Sequence, residues 1–91
     1  GVISVASNVV PKEMKVLTGA CLAGDYVRAA ALQRRLLPLM DLLFCQVNPI
    51  PVKAAMAAMG FCENSLRLPL TTMEPENEQK ILALMRAQNM I

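Results

Sequence analysis

The chain contains no histidine, no tryptophan, one tyrosine and two phenylalanines among its 91 residues. Without histidine the commonest general base is missing, and no Ser-His or Cys-His catalytic pair can be built. A zinc site is not expected either, because Cys21, Cys45 and Cys62 contain no C-x-x-C spacing and would need carboxylates to complete a ligand set. No G-x-S-x-G, P-loop or G-x-G-x-x-G string occurs. No apolar run reaches the ~18 residues that cross a bilayer, and the first residues carry no charged leader region. Net charge is only +2, from nine basic and seven acidic side chains, so there is no case for nucleic acid or an anionic membrane as partner.

What is present is apolar. Hydrophobic residues make up 55% of the chain, with a mean hydropathy of +0.42. That exceeds the roughly 45–50% of an ordinary soluble domain, although so short a chain buries little of its surface. The excess points to surface that meets other protein. The three cysteines sit among apolar neighbours and are expected to be reduced, buried thiols of a cytoplasmic protein.

One strand and about four helices are expected, a mostly α arrangement. The β-branched run Gly1–Ala6 reads as a single buried strand with no partner elsewhere in the sequence. A helix opens at Pro11, with Met14, Leu17 and Cys21 at helical spacing, and ends at Gly24 as a left-handed cap. Asp25 caps a second helix, Tyr26 to Phe44, which buries Ala29, Leu32, Leu36, Leu39, Met40 and Leu43 and should kink at Pro38. Pro51 opens a short helix from Val52 to Met59, closed by Gly60. Cys62 to Thr72 is a loop. A last helix begins near Glu74-Pro75 and carries Ile81, Leu84, Met85 and Gln88 along one side. Glu74, Glu76 and Glu78 belong to its start, where acidic side chains suit the helix dipole, and not to a catalytic cluster. Lys53 is a lysine whose stem lies on an apolar helix, and the seven methionines are core filler.

Four strings carry more information as strings than as chemistry: Gly1-Val2-Ile3-Ser4-Val5-Ala6-Ser7-Asn8, Arg35-Leu36-Leu37-Pro38-Leu39, Asn48-Pro49-Ile50-Pro51-Val52-Lys53, and Leu66-Arg67-Leu68-Pro69-Leu70-Thr71. In this order the chain resembles the C-terminal part of the dihydrodipicolinate synthase family over essentially its whole length. The Asn-Pro-Ile-Pro-Val-Lys string favours that family over its sialic-acid-lyase and keto-sugar-aldolase relatives. Ser7 stands where alanine is familiar, and the loop at Glu63–Ser65 is slightly short.

The resemblance implies a (β/α)8 TIM barrel of the class I aldolase type, with residues 1–24 as its last strand and helix and residues 25–91 as a C-terminal helical region. A complete barrel takes about 250 residues, so the chain would supply roughly a third. The start at Gly1, without methionine, agrees with a fragment. The implied parent is a lyase of lysine (diaminopimelate) biosynthesis. It condenses pyruvate with aspartate semialdehyde through a Schiff base, as a cytoplasmic homotetramer without cofactor or metal. Its Schiff-base lysine, proton relay and carboxylate-binding arginine fall upstream of Gly1, so the segment alone is expected to be inactive. Lys53 and Tyr26 match none of them. One position carries over: Ile3, whose main-chain carbonyl approaches the Schiff-base site. Alternatives are a free-standing helical interaction module, or the tail of a related pyruvate-dependent aldolase such as N-acetylneuraminate lyase.

Overall fold

A computed structural model describes residues 1–91, and it is all-helical. The expected strand is absent. Residues 1–4 are irregular, and a 3-10 turn, Ala6–Asn8, follows. A lone extended segment leaves its N–H and C=O groups unpaired, and no second extended segment exists here to pair with it. Local bonds take over. The Ser7 hydroxyl donates to the Ser4 carbonyl at 2.8 Å, and the Ser7 N–H donates to Ser4 Oγ at 3.1 Å. Ala6, Val9 and Val10 are thereby turned into the core.

Helix α1 spans Pro11–Leu22, with Pro11 at its first position and Glu13 in its first turn. Its buried face is Met14, Leu17 and Ala20. Cys21, placed on that face from the sequence, points out instead, because the face steps by three residues and not by four. Gly24, at φ +78°, closes the helix. Its N–H donates to Cys21 O at 3.1 Å and the Asp25 N–H donates to Ala20 O at 2.9 Å, the paired bonds of a Schellman ending.

Asp25 then starts helix α2, Tyr26–Leu42, its carboxylate accepting from the Arg28 N–H at 3.2 Å. The helix continues through Pro38. Ala29, Leu36, Leu39 and Leu43 are buried, with Leu32 and Met40 packed at the edge. Helix α3, Ile50–Ala58, begins two residues before the expected Val52. Pro51 therefore occupies the second helical position, where its missing N–H is still one of the unpaired first-turn donors. Gly60 closes it at φ +84°. Helix α4, Pro75–Ala87, buries Ile81 and Met85 and closes on Asn89 in the left-handed region.

Helix α1 packs on α2, α2 on α4, and α3 on both α4 and the N-terminal turn. The core runs along Leu36, Leu39, Leu43, Ile81 and Met85, all fully buried. It is small: 18 of 91 residues are buried, while Val2, Ile3, Leu22, Phe44, Phe61 and Leu68 lie exposed. All three cysteines are exposed, against expectation. The apolar neighbours that suggested burial (Leu22, Phe44 and Phe61) are themselves on the surface.

Candidate functional site

The N-terminal segment forms one wall of an apolar groove of about 290 Å³. Val2, Val5, Met14, Leu17, Met40 and Phe44 line it. The segment reaches the groove because the Ser4–Ser7 bonds end the extended run and α1 folds back beneath it. Ile3 stands at the rim with its side chain wholly in solvent. Its carbonyl accepts no hydrogen bond within the chain, so a lone-pair acceptor is left open there. No titratable side chain accompanies it: the groove's polar side chains are Ser4 and Gln33 alone.

The other chemically capable side chains are scattered. Tyr26 is exposed at the first position of α2. Glu76 forms an exposed i,i+4 ion pair with Lys80 at 3.9 Å, which contributes little. Glu74 caps nothing with its side chain. No three Cys, Asp or Glu side chains come together as a metal site would require.

Lys53 does meet a second cation. It lines a cleft of about 510 Å³ with Arg67, Ser65, Pro49, Leu66 and Leu70. From the sequence, Arg67 is only part of a string and Ser65 only the end of a short loop. The available signal was that Lys53 lies two residues after Pro51 and Arg67 two residues before Pro69. Gln46 was missed altogether. Its Oε1 accepts from the Glu74 N–H at 3.0 Å and from Asn77 Nδ2 at 3.2 Å, capping α4 from the turn that follows α2.

These surroundings hold a free carbonyl, an apolar groove and a cationic cleft, but no complete catalytic set. A sequence model of the dihydrodipicolinate synthetase family matches residues 1–88. The 4-hydroxy-tetrahydrodipicolinate synthase of Alkaliphilus oremlandii is 53% identical over all 91 residues, which make up 31% of its length. The crystal structure of dihydrodipicolinate synthase from Thermotoga maritima superposes with a TM-score of 0.96 at 42% identity, covering all of this chain and 31% of that one. A monomeric dihydrodipicolinate synthase variant superposes equally well, at TM-score 0.96 and 42% identity, over all of this chain and 30% of that one. The chain thus spans about a third of the length of the relatives it matches. It belongs to the dihydrodipicolinate synthetase family.

Proposed function

We propose that these 91 residues are the C-terminal part of a lyase that condenses pyruvate with aspartate semialdehyde through a Schiff base, in lysine and diaminopimelate biosynthesis. The observation that carries this reading is the superposition of the entire chain on about a third of an enzyme of that family. In the longer protein, residues 1–24 supply the last strand and helix of a (β/α)8 barrel, and residues 25–91 form a helical region beside it. The open backbone groups of Gly1–Ile3 suit a segment that completes a sheet once neighbouring strands are present. The exposed apolar side chains of the groove suit contact with the remainder of the barrel.

Chemistry is divided accordingly. The segment contributes no catalytic side chain. Its direct contribution is the main-chain carbonyl of Ile3, aimed at the Schiff-base lysine. A carbonyl oxygen accepts from an ammonium or iminium N–H and so holds the reacting nitrogen in place. The lysine itself lies outside these 91 residues. The complete enzyme is cytoplasmic and works without cofactor. We take a homotetramer as its working form, although a monomeric dihydrodipicolinate synthase variant is among the structures it resembles.

The test is a condensation assay. The full-length protein, given pyruvate and aspartate semialdehyde, turns over; the purified 91-residue segment does not. Turnover by the segment, or none by the folded full-length protein, contradicts the reading. Turnover with N-acetylmannosamine in place of aspartate semialdehyde would assign the chain to a sialic-acid-lyase relative instead.

A further inference from the structure

The two strings that distinguish this sequence most strongly, Asn48–Lys53 and Leu66–Thr71, meet at one place: the cleft between α3 and the loop that follows it. Each delivers a cation there. Lys53 is half-buried in the first turn of α3, where its N–H donates to Pro49 O at 3.0 Å. Arg67 sits in a turn whose carbonyl accepts from the Leu70 N–H at 3.0 Å. Both backbones are therefore fixed by local bonds, and both side chains line the same cavity.

Neither cation is neutralised. The chain's one ion pair is Lys80 with Glu76, and no acidic residue lines the cleft. Lys53 is half-buried and Arg67 is exposed, so two unpaired positive charges face one open concavity. Pro49, Leu66 and Leu70 line the rest of it. A dianion bound in the cleft would be attracted by both cations. The Ser65 hydroxyl adds a neutral donor, which matches a ligand with several oxygens.

We propose that this cleft is a binding site for a phosphate dianion, held by Lys53, Arg67 and the Ser65 hydroxyl, and separate from the Ile3 groove. Charge balance selects phosphate over a monocarboxylate. The volume, about 510 Å³, leaves room for a small organic group on a phosphate monoester.

The experiment titrates inorganic phosphate and, in a second arm, glycerol 3-phosphate into the full-length protein carrying this segment, followed by calorimetry. It does not pass through lyase activity, so its outcome is independent of the function proposed above. Binding should weaken about ten-fold or more in Lys53→Gln and in Arg67→Gln, as expected for loss of one charge-assisted partner. It should persist in Lys53→Arg, and in Arg34→Gln/Arg35→Gln, where a different basic pair is removed. Tighter binding of glycerol 3-phosphate marks a phosphorylated metabolite as the ligand; equal binding marks phosphate itself. The proposal is overturned if neither ligand binds, or if binding is unchanged in K53Q and R67Q variants whose melting matches the parent.

Discussion

Three residues end three helices in the same way. Gly24, Gly60 and Asn89 each adopt positive φ, and in each case two N–H groups return to the last turn. At Gly24 a methyl group would meet nothing within 4 Å, so an alanine there pays only the left-handed backbone cost. Gly24→Ala should therefore lose about 1–2 kcal/mol in urea unfolding. Gly19 is equally unobstructed but lies inside α1 with ordinary helical geometry. Gly19→Ala should gain about 0.5–1 kcal/mol. Opposite signs from the same substitution five residues apart would isolate backbone conformation from packing. The two glycine endings were legible in the sequence, because each glycine follows a periodic run. Asn89 was not, since asparagine occupies the left-handed region only occasionally and nothing local demands it here. The cysteines misled for a related reason: apolar neighbours in sequence imply burial only where the surface is polar, and here it is not.

At the scale of elements, helix bodies were readable and their joints less so. The α2 stripe Ala29, Leu36, Leu39 and Leu43 follows from spacing alone. The start of α3 was misplaced by two residues because proline is tolerated at more than one first-turn position. The N-terminal segment was misread more deeply. Its β-branched pattern is a request for a neighbouring strand, and a pattern cannot reveal whether the neighbour is present. The start of α4 depends on a residue no local rule would select. Gln46 lies 28 positions before Glu74 and supplies the cap that Glu74's own side chain does not. Gln46→Ala should destabilise the protein by about 1 kcal/mol, the usual cost of a lost N-cap. Amide exchange should rise at residues 74–78 while α1 stays protected, which separates loss of the cap from general destabilisation.

At the scale of the molecule, the composition and the structure agree. A chain that is 55% hydrophobic builds a core of only 18 buried residues and leaves Val2, Ile3, Leu22, Phe44, Phe61 and Leu68 in solvent. The family relatives are about three times as long, and on the proposed reading the unsatisfied N-terminal backbone and the apolar groove are completed by further protein. The candidate site was legible only in outline. Ile3 is named only through the family resemblance, whereas the free state of its carbonyl and the cleft shared by Lys53 and Arg67 follow from the fold. The division of labour, with a lysine elsewhere and a carbonyl here, is tested most directly by trapping. The full-length protein is incubated with pyruvate, reduced with borohydride, digested, and the modified lysine located by mass spectrometry. The account predicts a single adduct outside these 91 residues, with Lys12, Lys15, Lys53 and Lys80 unmodified. An adduct on Lys53, or none on a folded protein, would contradict it.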